Sequence, residues 1–289
     1  MGVLGGLGAA LGWGIADFFA REAGQREGSL VALLYLQLVG TPTAALLLIF
    51  TEDRPWQTLY SLDGLAGFFV GLELVLGTIL LYHALTLGPL LIVAPISSSY
   101  AAVTAVLSLL SGERPATTQI VGMVVTLIGV VLAAITANEE SQPDPNRDRR
   151  KGLPLGVIFA LGAAVAWGVG VWLVGGVVSA LGSSPTVFVL RASGMASVVV
   201  FFLATNRSFL PRSRASWRWL LPIGVLDTAA NLSLSIGLLS SLTSIVSVMS
   251  SLYGVVTVIL GYVIAGERVT RIQQVGIVVT FIGVALVSL

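Results

Sequence analysis

The chain contains ten apolar runs, each about as long as the hydrocarbon core of a lipid bilayer is thick. A core about 30 Å thick is crossed by about 20 residues of α-helix. These runs predict an all-α integral membrane protein with ten transmembrane helices. They lie at roughly 3–20, 29–50, 64–87, 89–111, 117–137, 154–176, 185–205, 217–239, 242–264 and 270–288.

Composition excludes several other classes of protein. Of the 289 residues, 56% are hydrophobic and only 10% are charged, too few to cover the surface of a soluble domain. The net charge of +1 provides no basic field, so we expect no nucleic-acid partner. The chain has one His and no Cys, which excludes disulfides, thiolate metal sites and a His-rich metal site. We expect no metal and no cofactor.

A polar stretch divides the apolar runs into two groups of five. We predict a first five-helix repeat at 1–137, a polar linker at 138–152 ("NEESQPDPNRDRRKG") and a second five-helix repeat at 153–289. Because five is an odd number of spans, the second repeat must enter the membrane inverted relative to the first. Inverted repeats are typical of secondary transporters, whose substrate site lies near the midplane between the repeats.

Two distant sequence matches support the duplication. "LGAALGWG" at 7–14 matches "LGAAVAWG" at 161–168, at an offset of 154 residues. "SGERPATTQIVGMVVTLIGV" at 111–130 matches "AGERVTRIQQVGIVVTFIGV" at 265–284 at the same offset. One offset without a gap predicts that every residue of the first half has its equivalent 154 positions later.

Four polar residues lie deep inside predicted spans. Glu73 sits in the apolar run "FFVGLELVLG", and the offset of 154 places it on Asp227; the same offset places Gln37 on Arg191. Placing an ionisable group inside a membrane costs free energy, so such a residue is by default a candidate functional residue. We therefore predict Glu73, Asp227, Arg191 and Gln37 as substrate- or proton-binding residues, with the two carboxylates at similar depth.

The repeated motifs resemble those of the EamA-type drug/metabolite transporters. They are "LGWG" and "VAWG" in the first span of each half, "GER" after the fourth span of each half, and the run "PISSSYAAVTAVLSLLSGER". The second half departs from this pattern, since Met249 stands where the first half has Pro95. The resemblance implies a ten-helix carrier of small metabolites, often an exporter, in which spans one, three, four, six, eight and nine line a central cavity. Cavity-wall candidates on these spans are Trp13, Trp167, Tyr100, Tyr253 and Asn231.

The deep residues also have structural interpretations. Glu73 and Asp227 either bind protons or a substrate ammonium, or are clamped by Arg191 or capped by Ser and Thr. Arg191 is either an anchor for a substrate carboxylate or an internal counter-ion. Asp17 and Arg21, spaced i,i+4, favour an interfacial ion pair. For the two "GER" turns we expect helix capping and loops fixed by Glu–Arg pairing, with gating as the alternative.

The sequence therefore favours a secondary transporter for a small zwitterionic or cationic metabolite such as an amino acid or amine, with protons as an optional coupling ion. An uncoupled facilitator with structural carboxylates is the alternative carrier. An intramembrane enzyme is the alternative from another class, but the sequence lacks a Ser/His dyad on facing helices, a P-loop and a GxSxG motif. We expect a non-enzyme that acts as a monomer or homodimer.

The predicted cellular location and membrane orientation of the protein depend on its basic residues. Lys151 is the only lysine, which favours a GC-rich prokaryotic genome and hence a multi-pass protein of the prokaryotic plasma (inner) membrane. The positive-inside rule compares loops on the two sides. Loops after the odd-numbered spans hold twelve basic residues, and the opposite side holds two, Arg54 and Arg114. The count places both termini outside the cytoplasm, whereas the resemblance implies cytoplasmic termini.

Overall fold

The computed structural model of the protein describes residues 1–53, 60–88, 90–135, 155–206, 210–211, 213–264 and 270–287. The predicted linker at 138–152 and the second "GER" turn lie outside these residues. Within them the chain is helical, and no strand occurs.

The first half of the chain contains six helices. They are α1 (Gly2–Glu27), α2 (Ser29–Thr51), α3 (Leu62–Leu87), α4 (Leu90–Ser98), α5 (Tyr100–Leu110) and α6 (Thr117–Ile135).

The second half contains six more, preceded in one case by a 3-10 turn. They are α7 (Leu155–Leu181), α8 (Ser183–Ala204), α9 (Trp217–Ser240, after the turn Arg214–Ser216), α10 (Thr243–Ser250), α11 (Tyr253–Val263) and α12 (Arg271–Val287).

Seven helical stretches are long and apolar enough to cross a bilayer. Six of them are α1, α2, α3, α7, α8 and α9 with its turn, and the seventh combines α10 and α11. Three further apolar helices are shorter, at Ile96–Leu110, Thr117–Gly129 and Gln274–Gly283. The chain is therefore an α-helical, multi-pass membrane protein.

The fourth and ninth predicted spans are broken helices rather than continuous ones. Serines lie at both breaks and bond to backbone carbonyls of the preceding turn: Ser99 Oγ donates to Ile96 O at 2.6 Å, and Ser251 Oγ donates to Val248 O at 2.7 Å. Such bonds compete with the helical ladder and bend helices. The second break occurs without a proline, so proline is not the feature that the two breaks share.

Helix contacts between the halves occur in matching pairs. Helix α1 packs on α9 as α7 packs on α3, α2 packs on α9 as α8 packs on α3, and α1 packs on α11 as α7 packs on α5. Helices α6 and α12 pack on each other, with Gly129 against the backbone of Thr280 and Gly283 against the backbone of Thr126. Each half thus meets the other through the same set of surfaces.

Matching hydrogen bonds at the centre reveal a one-residue change of register. Tyr100 Oη and Ser250 Oγ are 2.5 Å apart, and Tyr253 Oη donates to Ser97 Oγ at 2.7 Å. Tyr253 follows Tyr100 by 153 residues, not 154, and Ser250 follows Ser97 by the same 153. The fourth-span helices therefore correspond at a different offset from the first-span helices.

The same shift applies to α3 and α9. A Cβ on Gly71 would meet the backbone of Leu190, and one on Gly224 would meet the carbonyl of Leu36. Leu36 and Leu190 are 154 apart, but Gly71 and Gly224 are 153 apart. The prediction that Glu73 and Asp227 are equivalent is therefore wrong. At an offset of 153 residues the counterpart of Glu73 is Leu226. One residue turns a helix by about 100°, so the two carboxylates point to different faces.

The first "GER" turn connects the two halves. Glu113 accepts the backbone N–H of Thr243 at 2.8 Å and that of Ser244 at 3.0 Å. These are orphan donors of the first turn of α10, where a negative charge is favourable. The predicted capping role is confirmed for Glu113, with the capped helix lying in the other half of the chain.

Candidate functional site

A cavity lies between α1, α2, α3, α5, α7, α8 and α9. On α7 it extends from Trp167 to Val174, and on the antiparallel α3 from Thr78 back to Gly71. It therefore runs from the middle of the bundle toward the end where α7 finishes. Seven of the nine predicted site residues line it: Trp13, Gln37, Tyr100, Trp167, Arg191, Asp227 and Asn231.

An ion pair between Arg191 and Asp227 is the main charged feature of the cavity. The side chains are 8% and 15% exposed, so both charges are largely removed from water. Asn231, one turn along α9, donates from Nδ2 to the Asp227 carbonyl at 2.8 Å and to Asp227 Oδ2 at 3.0 Å. In this conformation Arg191 has the counter-ion geometry that was one of its two sequence interpretations.

Close packing of α2 against α8 places Gln37 in the same cavity as the ion pair. Gly194 leaves room for the Gln37 amide, Gly40 lies beside the Arg191 guanidinium, and Thr41 Oγ1 donates to the Arg191 carbonyl at 3.2 Å. Small residues permit such close approach between membrane helices. Gln37 is buried, and its Oε1 has no hydrogen-bond partner among the described residues. The cavity thus contains an acceptor with no partner of its own.

Four aromatic side chains pack together at the inner end of the cavity, and we call them the aromatic cluster: Trp13, Tyr100, Trp167 and Tyr253. All six pairs of rings have centroids 6.0–6.5 Å apart; the two Trp rings are stacked, and so are the two Tyr rings. Tyr253 lies behind the other three and does not line the cavity. The reciprocal Tyr–Ser hydrogen bonds fix the two Tyr rings of this cluster by joining α5 to α10 and α11 to α4.

Glu73 lies outside the cavity. Its Oε2 is adjacent to Gly170 on α7 and has no hydrogen-bond partner among the described residues. Phe69 and Leu76, about one turn before and after it, are 61% and 54% exposed on the outer surface. Glu73 therefore sits at the α3–α7 seam near the lipid, separated from Asp227, because of the register change described above.

The prediction that Asp17 forms an interfacial ion pair with Arg21 is wrong. It is 4% exposed, and no hydrogen bond or ion pair joins it to Arg21, whose guanidinium contacts Glu22 at 3.4 Å. The predicted span ended near residue 20, but α1 continues to Glu27. Asp17 therefore lies about 15 Å from the end of its helix rather than at the interface.

The orientation stays a prediction. Of the twelve basic residues counted on one side, the described part of the chain includes Arg21, Arg26, Arg214, Arg218 and Arg271, and on the other side Arg114. The remaining ones fall outside it.

The sequence matches the EamA-like transporter family over residues 1–135 and 154–289. No match was found among curated proteins. A protein known from a crystal structure has a similar fold, with a TM-score of 0.74 and 17% sequence identity over 99% of this chain and 95% of that one. At that identity the likeness shows the fold alone. Since the family match spans nearly the whole sequence on both sides of one gap, the chain belongs to the EamA-like transporter family.

Proposed function

We propose that the protein is a secondary transporter for a small zwitterionic or cationic metabolite, such as an amino acid or amine, acting as an exporter. The observation that carries this proposal is the Arg191–Asp227 ion pair, which lines the cavity beside the unpartnered Gln37. A carrier site for a zwitterion needs one cation and one anion a few ångströms apart. This pair supplies both.

A bound zwitterion would separate Arg191 from Asp227 and become the partner of both side chains. Its carboxylate would bind the Arg191 guanidinium, whose planar donors suit a carboxylate, and its ammonium would bind Asp227 and Gln37 Oε1. The net charge of the site stays balanced before and after binding, so neither side chain is left as an uncompensated buried charge. An amine would bind at Asp227 alone, with Trp13 and Trp167 as aromatic neighbours.

The architecture that we propose is ten spans in two inverted five-helix repeats, with residues 1–137 and 153–289 as the repeats. The paired contacts between the halves and the breaks in the fourth and ninth spans support it. Broken helices near the midplane are a recurrent feature of secondary transporters. Alternating access would then rock the halves about the aromatic cluster, closing the cavity at one end as the other opens.

An uncoupled facilitator is the alternative within the carrier class, and the counter-ion geometry of Arg191 favours it. In that case Asp227 and Arg191 hold α9 to α8 and the substrate binds elsewhere in the cavity.

The proposed cellular location of the protein is the prokaryotic plasma membrane, and its proposed oligomeric state is a monomer or homodimer.

Thermal unfolding of the purified protein against a panel of amino acids and amines tests the site. A ligand at 100 times its dissociation constant stabilises a protein by about 2.7 kcal/mol, so we expect a raised melting temperature for the wild type with at least one compound. Asp227→Asn should lose that response. Glu73→Gln is the matched control, a neutralised acid at a similar depth but outside the cavity, and should keep it. An undiminished response in Asp227→Asn would place the substrate elsewhere.

A further inference from the structure

Asp17 is a buried carboxyl group that the proposed substrate site does not use. It lies one helical turn beyond Trp13 of the aromatic cluster, is 4% exposed, and does not line the cavity. Its Oδ2 has no hydrogen-bond partner, and it forms no ion pair with any described residue. Helix α1 therefore carries a buried acidic group that no described residue neutralises by an ion pair.

Apolar packing separates Asp17 from the nearer end of the bundle, which we call the Glu27 end. There α1 finishes, Gly24 packs against Thr86 near the end of α3, and Ser216 before α9 donates to Glu27. Between this end and the aromatic cluster lies one continuous set of buried side chains, which includes Phe18, Ala20, Leu33, Leu81, Leu85 and Ile223. In this conformation these buried side chains lie between Asp17 and the Glu27 end.

The titratable groups around Asp17 do not balance a negative charge. The phenols of Tyr82 on α3 and Tyr253 on α11 are buried and lie within electrostatic range of it. On α9 the charged groups are Asp227, which is paired with Arg191, and Arg218, whose guanidinium lies over the Trp219 ring. On α1 itself Arg21, one turn away, contacts Glu22. The other elements packed against α1 are α2 and α10, which carry no charged residue, and the 3-10 turn, whose Arg214 lies at the Glu27 end.

We propose that Asp17 is a proton-binding site, separate from the Arg191–Asp227 pair, that holds a neutral carboxyl group while the Glu27 end is closed. An unpaired carboxylate surrounded by apolar and phenolic groups is costly, and binding a proton removes that cost. Asp227 needs no proton, because Arg191 compensates its charge. The two acids therefore have different tasks.

Opening of the Glu27 end would hydrate Asp17 and release its proton to that side. Proton binding at Asp17 would thus favour the conformation in which the cavity is open toward the end of α7, and proton loss would favour the other. This consequence rests on the proposed transport function, whereas the proton site itself does not.

Infrared difference spectroscopy of the full chain in lipid nanodiscs tests the site, with protons as the only ligand. Near neutral pH the wild type should show a carbonyl stretching band of a protonated carboxylic acid that Asp17→Asn lacks. Asp17→Glu should keep such a band at a shifted frequency, which separates loss of the proton site from loss of folding. Asp227→Asn and the matched control Glu22→Gln, on the same helix, should both keep the band unchanged.

Two results would overturn the proposal. One is a spectrum of folded Asp17→Asn that equals that of the wild type near neutral pH. The other is a band that disappears in Asp227→Asn while Asp17→Asn retains it, which would place the proton in the cavity. Absence of any transported compound would contradict the proposed function and leave the band assignment intact, so the two failures are distinguishable.

Discussion

Replacing Arg191 with methionine is expected to destabilise the protein by about 3–5 kcal/mol, since it leaves the Asp227 carboxylate buried without its counter-ion. The only other described group bonded to that carboxylate is the Asn231 amide, which carries no charge. The measurement is thermal unfolding in detergent. The matched control is Arg114→Met, which removes an exposed arginine and should change stability by less than about 0.5 kcal/mol.

The double variant Arg191→Met with Asp227→Leu separates structure from function. Replacing both members of a buried ion pair by apolar residues is often neutral or stabilising, so we expect the double variant to recover most of the lost stability. It should still fail to bind any amino acid or amine, because both proposed anchors are gone. A double variant as unstable as Arg191→Met alone would show that the pair does not act as a unit.

Gly129 on α6 and Gly283 on α12, where these two helices pack on each other, should respond equally to substitution. A Cβ at Gly129 would meet the backbone N of Thr280, and a Cβ at Gly283 would meet the backbone N of Thr126. Because these neighbours are backbone atoms, no side-chain rotation relieves the contact and the helices must separate. Overpacking of this kind typically costs about 1–3 kcal/mol. We expect Gly129→Ala and Gly283→Ala to lose about that much stability in thermal unfolding, and to do so similarly.

Gly176→Ala is the control for these two variants. Nothing lies within 4 Å of a Cβ placed at Gly176 on α7, so the change should only add helix propensity, worth up to about 1 kcal/mol. If Gly129→Ala were as stable as Gly176→Ala, the α6–α12 contact would not be tight. A large difference between Gly129→Ala and Gly283→Ala would contradict the matching of the two halves.

The helical membrane architecture could be predicted because span length and hydrophobicity are properties of the sequence alone. The two helix breaks could not, because serine is common in membrane helices and its hydroxyl gives no sign of which carbonyl it will bond. Residues 97–99 are three serines in a row, and only the structure shows that they end a helix.

The register within the repeat was predictable only in part. The strong matches lie in the first and fifth spans, and they fix an offset that the third and fourth spans do not share. A weaker signal was present, since "SSSY" at 97–100 resembles "SSLY" at 250–253 at an offset of 153. A single residue was enough to separate Glu73 from Asp227, because depth in a membrane follows from the sequence whereas the direction of a side chain depends on register.

For Asp17 the sequence predicted a position at the membrane interface, and the structure buries it. Its i,i+4 spacing to Arg21 suggested an ion pair, but the length of α1 buries the acid and leaves the arginine with Glu22. The cost of an intramembrane charge was a better guide to this residue than its sequence neighbour.

Counterflow in proteoliposomes tests the central claim most directly. Vesicles that contain the protein are loaded with unlabelled amino acids and amines, and the uptake of each labelled compound is followed. We expect a transient overshoot of at least one compound with the wild type, recovery of that compound chemically unchanged, and no overshoot with Asp227→Asn. An overshoot that persists in Asp227→Asn would contradict the assignment of the Arg191–Asp227 pair as the transport site, and the absence of overshoot for every compound would contradict carrier function for this class of substrate.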